Sequence, residues 1–128
     1  MYTDVHHLVV AVNNLKEAVE DYEKLGFKAE HVGRETAFGN RQALLYFGDS
    51  GSFIELVEPM STDIPTARTI QRRGEGIHMV GLEVDDVKKA VAEMKARGVQ
   101  LIEGAGGPSI HPKNTHGILC QLVERKRD

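Results

Sequence analysis

Residues 6–27, HHLVVAVNNLKEAVEDYEKLGF, and residues 78–99, HMVGLEVDDVKKAVAEMKARGV, align without a gap at an offset of 72. His6 meets His78, Val12 meets Val84, Asn14 meets Asp86, Ala18-Val19 meets Ala90-Val91, and Gly26 meets Gly98. Each copy also ends alike, in Glu55-Leu56-Val57-Glu58 and in Gln121-Leu122-Val123-Glu124. The offset there falls to 66, so the loops of the second copy are about six residues shorter. Self-similarity of this kind marks one supersecondary unit used twice. A chain of 128 residues has room for two such units around shared apolar packing and for little else.

Within a copy the local signals agree. Leu8, Val10 and Val12 alternate with His7, Val9 and Ala11, the period of a strand, with both faces largely apolar. Asn14 stands three residues before Glu17, a spacing that ties up free N–H groups at a helix start. Leu15, Ala18, Val19, Tyr22 and Leu25 then form one apolar stripe, and Gly26 closes the helix. The second copy repeats this with Asp86 as cap, Val87, Ala90, Val91 and Met94 as stripe, and Gly98 as stop. Three strands are expected after each helix, near 28–32, 41–47 and 52–58, and near 100–103, 109–111 and 117–123. Residues 61–76 read as a linker helix that Gly74 and Gly76 end. The expected fold class is α+β: paired βαβββ modules, 1–60 and 77–128, forming a curled mixed sheet around a cleft within a single domain of 1–128.

Composition narrows the partners. The net charge is −3, from 16 Lys+Arg against 19 Asp+Glu, with no basic block, which argues against a nucleic acid or a membrane surface. The apolar run 8–12 is far short of the ~20 residues that span a bilayer, and no signal sequence precedes it. The single cysteine, Cys120, has no partner within the chain and suits a reducing cytoplasm, the expected location.

Five separated stretches carry a family likeness: HLVVAV at 7–12, IELVEP at 54–59, RGEGIH at 73–78, EVDD at 83–86 and HPKNTHGIL at 111–119. With the paired module, they resemble the vicinal oxygen chelate superfamily, which includes glyoxalase I, bleomycin-resistance proteins, extradiol dioxygenases and methylmalonyl-CoA epimerase. The likeness points to the epimerase branch. It implies a cleft that holds a divalent metal, Co, Ni, Mn, Mg or Zn, on one residue from the first and last strand of each module. Carried over by position, these are His7, Glu55, Met79 and Gln121. The branch usually has a second histidine as ligand at this place; here Val84-Asp85-Asp86 fixes the register, so the slot holds Met79 and His78 is one residue out of phase. A carboxylate is usual where Gln121 stands, so the implied ligands are His7, Glu55 and Gln121, with Met79 lining the lost position.

The chemistry implied by the resemblance is loss of a proton from a carbon acid, with the resulting enolate stabilised by the metal. Epimerisation needs a base and an acid flanking one carbon. The implied catalytic positions are Gln121 and, on a looser alignment, Gln42, together with Glu55, the one carboxylate left at an aligned site. An amide hydrogen-bonds but does not shuttle protons at neutral pH. The leading expectation is a divergent isomerase or lyase acting on a small acyl thioester, and the family habit of pairing implies a homodimer. The second expectation is a metal-free module that sequesters a small molecule in the manner of bleomycin-resistance proteins, favoured by the neutral Met79 and Gln121.

Plainer roles stand beside these. His6 and His78 are expected to hydrogen-bond locally at strand ends, unless a β-bulge turns His78 inward. His111 and His116 flank Pro112-Lys113 in what reads as a turn, and Cys120 is expected to pack under a helix. Glu58 and Glu124 read as surface charges at strand ends, and 124–128 as a solvated tail.

Overall fold

A computed structural model describes residues 1–104 and 106–125. The elements run β1 (Tyr2–Ala11), α1 (Leu15–Lys24), β2 (Ala29–Glu35), β3 (Asn40–Tyr46), β4 (Phe53–Pro59), α2 (Pro65–Arg73), β5 (Gly76–Val84), α3 (Val87–Ala96), β6 (Leu101–Ile102), β7 (Ser109–Ile110), a 3-10 turn (Pro112–Asn114) and β8 (Cys120–Val123). They fall into two compact units, Leu8–His78, and Met1–His7 with Met79–Asp128. The duplicated βαβββ order is present, with the second copy's middle strands reduced to two residues each. Among the described residues no helix is long and apolar enough to cross a membrane.

The expected curled sheet around a cleft is not what the strands form. Their order is β2-β3-β4-β1-β5-β8-β7-β6, an open mixed sheet that ends at β2 on one side and β6 on the other. Closure would need the two edge strands to pair with each other. A two-residue β6 offers too few backbone groups to template the seven residues of β2.

In the unit Leu8–His78, β3 and β4 pair antiparallel from Asn40↔Pro59 to Tyr46↔Phe53. Alternation then sends Ala43, Leu45 and Leu56 into a core with Val12, Leu15 and Val19 of α1 and its approach. Leu45 and Leu56 are fully buried, each contributing about 2–3 kcal/mol of apolar burial. Gln42, Leu44, Glu55 and Val57 occupy the opposite face by the same alternation. In the other unit β5 and β8 pair in parallel, Val80↔Cys120 to Glu83↔Val123. Val84, Ala90, Met94, Ile110, Cys120 and Leu122 form its core, so Cys120 packs with α3 as expected. Gly81 and Gln121 are registered partners on the face away from that core.

The repeat extends to the helix starts. Asn14 Oδ1 accepts from Glu17 N at 2.9 Å, and Asp86 Oδ1 accepts from Lys89 N at 3.0 Å. Glu58 Oε2 also accepts from Leu15 N at 3.1 Å, and Glu124 Oε1 from Val87 N at 2.6 Å. Both glutamates are therefore helix caps and not idle surface charges, each placing an anion where a helix leaves its first N–H groups without internal partners. Arg125 is likewise tied down, 3.0 Å from Glu83 and 3.6 Å from Asp4, so the expected tail does not begin there; 126–128 lie outside the described residues. His111 caps the 3-10 turn by accepting from Lys113 N at 3.0 Å, which bears out the turn at Pro112.

Candidate active site

The residues singled out above divide between the units: Glu55 and Gln42 in one, His7, Met79 and Gln121 in the other. In the first unit, the diagonal from β3 to β4 brings Gln42 Nε2 within 2.5 Å of Glu55 Oε2, which it donates to. Arg34 on β2 donates from Nε to Gln42 Oε1 at 2.6 Å. The guanidinium thus sets which end of the amide meets the carboxylate, and a row Arg34–Gln42–Glu55 runs across three strands. Burial pushes the Glu55 carboxyl up from its ordinary range, against the opposing pull of the Gln42 hydrogen bond and of Arg34. Glu55 is a carboxylate made more basic than usual and held by one oxygen.

In the second unit His7 is buried, and its ring rests against Gly81. A Cβ at residue 81 would overlap the Nδ1 and Cε1 atoms of that ring, so the seat exists only because the residue is glycine. Burial, with the neighbouring His6 adding to it, lowers the His7 pKa to about 4, so the imidazole is neutral near pH 7. Gln121 Nε2 donates to the Gly106 carbonyl, and Met79 is half-buried on the same strand as Gly81.

His78 Nδ1 lies 2.8 Å from Thr69 Oγ1 of α2, a local hydrogen bond of the kind expected for it. Burial lowers its pKa, helped by Arg73 and Arg72. Arg34, Gly81 and the Glu83–Arg125 pair were not among the residues singled out from the sequence. Gly81 had a readable signal, a glycine inside a strand opposite Val9 of the repeat.

Among the described residues no three His, Cys, Asp or Glu side chains group as a metal-holding set. By donor chemistry, a neutral imidazole at His7 and a carboxylate at Glu55 both suit the divalent ions that the family implies. Gln121 carries a neutral amide, and the Met79 thioether is a soft donor suited to Cu(I). The Gly81 seat, which holds one ring in one place, fits His7 as a ligand.

Residues 5–123 match the model of the glyoxalase-like domain. The uncharacterized protein YqjC of Bacillus subtilis (strain 168) is 29% identical, over 95% of this chain and 92% of that one. Methylmalonyl-CoA epimerase from Mycobacterium tuberculosis superposes with a TM-score of 0.84 at 30% identity, covering 98% of this chain and 90% of that one. The Streptomyces coelicolor methylmalonyl-CoA epimerase in complex with 2-nitronate-propionyl-CoA gives 0.84 at 28% identity, covering 99% and 100%. The chain belongs to the glyoxalase-like domain family within the vicinal oxygen chelate superfamily, and its likeness to methylmalonyl-CoA epimerases runs along almost its whole length.

Proposed function

We propose that the protein is an isomerase resembling methylmalonyl-CoA epimerase, which moves a proton at the carbon beside the carbonyl of an acyl thioester. Its kinship is with catalytic members of the superfamily. The observation that carries the reading is Glu55, a half-buried carboxylate whose orientation is fixed by Gln42 and whose basicity is raised by its burial. Abstraction of a proton from a weak carbon acid asks for such a base. Glu55 takes the proton, Gln42 holds the carboxylate in place, and the Gln121 amide donates a hydrogen bond to developing oxyanion charge. A divalent cation, when bound, supplies Lewis-acid stabilisation of the enolate, and His7, Glu55 and Gln121 are the residues that the family pattern assigns to hold it.

The test is deuterium exchange at the α-carbon of methylmalonyl-CoA in D₂O, with metal-reconstituted protein and a His7→Ala control. Exchange well above the control is expected, and exchange no faster than the control removes the epimerase-like reading. A metal-free sequestering module remains the second reading, because Met79 and Gln121 stand where the family pattern has a histidine and a carboxylate. Stoichiometric Co, Ni, Mn or Zn in protein purified without chelator argues against it.

The proposal extends to a cytoplasmic homodimer, for which the open strand edges at β2 and β6 offer pairing surfaces. Light scattering is expected to give twice the 14.2 kDa of one chain, and a monomeric mass refutes the dimer.

A further inference from the structure

The face of the sheet that carries Glu55 changes character along its strands. Three cross-strand pairs follow one another there: Gln42↔Val57, Leu44↔Glu55 and Tyr46↔Phe53. Residues two apart on a strand are separated by about 6.5–7 Å, so Glu55 has one such pair on either side at that spacing. On one side the rings of Tyr46 and Phe53 are 5.4 Å apart, with Tyr46 exposed and Phe53 half-buried. On the other side Gln42 is buried, and its partner on β2, Arg34, is exposed. The two ends receive different things, an apolar group at the aromatic pair and an anion at the guanidinium.

Arg34 is held ready for that anion. Its Nε donates to Gln42 Oε1 at 2.6 Å, the one hydrogen bond its side chain makes among the described residues. The Gln42 bond steadies the fork, and the N–H groups on both terminal nitrogens are left for a ligand. Distance then selects the ligand. Gln42 joins the two charged groups by bonds of 2.6 and 2.5 Å, so Arg34 Nε is no more than about 7 Å from Glu55 Oε2. A base lies about 3–3.5 Å from the carbon it deprotonates. A carboxylate on that same carbon reaches about 2.4 Å further, and a charge-assisted hydrogen bond of about 2.8 Å completes the span to a guanidinium. The phosphates of a nucleotide thioester lie at the far end of its carrier arm and do not meet this distance. A substrate carboxylate beside Glu55 also suffers repulsion from it, which a cation on the far side of Gln42 offsets.

We infer that Arg34 determines specificity: its terminal nitrogens receive a carboxylate borne on the reacting carbon, so the protein prefers acyl thioesters with an acid group there to plain acyl thioesters. The inference rests on Glu55 as the base of the reaction proposed above, which places the reacting carbon. It assigns Arg34 a contact with substrate, beyond the bond that holds Gln42 in place.

The experiment is calorimetric binding of methylmalonyl-CoA, propionyl-CoA and free CoA to the full chain as purified, in wild type, Arg34→Met and Arg34→Lys. Propionyl-CoA differs from methylmalonyl-CoA only in lacking the carboxylate. The wild type is expected to bind methylmalonyl-CoA about 10–100-fold more tightly than propionyl-CoA. Arg34→Met is expected to erase that ratio by weakening methylmalonyl-CoA alone, with the other two within threefold of wild type. Arg34→Lys keeps the charge without the fork and is expected to give an intermediate ratio. A ratio that survives in Arg34→Met overturns the inference and leaves Arg34 only its bond to Gln42. Equal weakening of all three ligands also overturns it, and assigns Arg34 to the phosphates. A wild type that binds neither thioester, or both alike, overturns it as well. If Arg34→Met does not fold, Arg34→Lys decides, and an unchanged ratio there overturns the inference. If the ratio behaves as inferred but the wild type exchanges no α-proton, the isomerase reading fails and the carboxylate site stands.

Discussion

Replacing Glu55 by glutamine separates catalysis from stability at one atom. The side-chain shape is kept, and Gln42 Nε2, now 2.5 Å from a carboxylate oxygen, retains an acceptor in the amide oxygen of Glu55→Gln. A charge-assisted hydrogen bond becomes a neutral one, a loss of about 1 kcal/mol. Relief from burying a charge offsets that loss, since burial is the largest influence on this carboxyl. The net stability change is expected to stay within about 1 kcal/mol, small against the typical ~5–15 kcal/mol of a folded domain. The chemistry fares differently. A positioned general base contributes about 10²–10⁴ in rate, and at 1.36 kcal/mol per decade its removal raises the barrier by about 3–5 kcal/mol. Urea denaturation and deuterium uptake at the α-carbon of methylmalonyl-CoA, followed by mass spectrometry, read the two quantities on the same preparation. Exchange by Glu55→Gln within threefold of wild type, with an intact urea transition, would falsify the assignment of Glu55 as the base.

Other consequences concern parts of the molecule away from the proposed chemistry. Glu58→Ala and Glu124→Ala each remove a carboxylate from a helix start and are expected to cost about 1–2 kcal/mol, lowering Tm by a few degrees. The two glutamates share no partner, so calorimetry of the double variant should give the sum; a clearly smaller loss refutes independent caps. Arg125→Met leaves the 2%-exposed Glu83 without its guanidinium and is expected to cost about 3–5 kcal/mol by urea denaturation, whereas replacing both partners with apolar residues costs far less. Cys120 is buried and its thiol is pushed up by that burial, so iodoacetamide should label it only as fast as the unit opens; labelling at a free-thiol rate in native protein contradicts the packing.

The parts of this fold that were readable from the sequence are those set by neighbours along the chain. Asn14 and Asp86 cap their helices because capping needs only a short side chain and an N–H three residues on. His78 bonds to Thr69 of the neighbouring helix, nine residues back along the chain. The caps at Glu58 and Glu124 were hidden for the opposite reason. Each reaches across 43 or 37 residues to its helix, so no window of sequence contains both partners. Only their recurrence at matching places in the two repeats hinted at a shared job. The open sheet was equally hidden, because closure depends on what the two edges can offer each other.

Arg34 shows how a cross-strand partner escapes reading from the sequence. Glu30 pairs with Leu44 and Arg34 with Gln42, so four steps along β2 answer to two along β3. The extra residues form a bulge in which His31 has φ 55° and Gly33 φ 86°, both in the left-handed region. The two extra residues leave Arg34 on the face that odd–even counting gives it but shift its partner, since unbroken pairing from Glu30↔Leu44 would set it against Asn40. The pairing beyond it sets Arg34 against Gln42, and through Gln42 against Glu55. The row of three that orients the proposed base therefore depends on a backbone irregularity. A deletion that regularises β2 between 30 and 34 should uncouple Arg34 from Gln42 while leaving the β3–β4 pairing, and so the Gln42–Glu55 bond, in place.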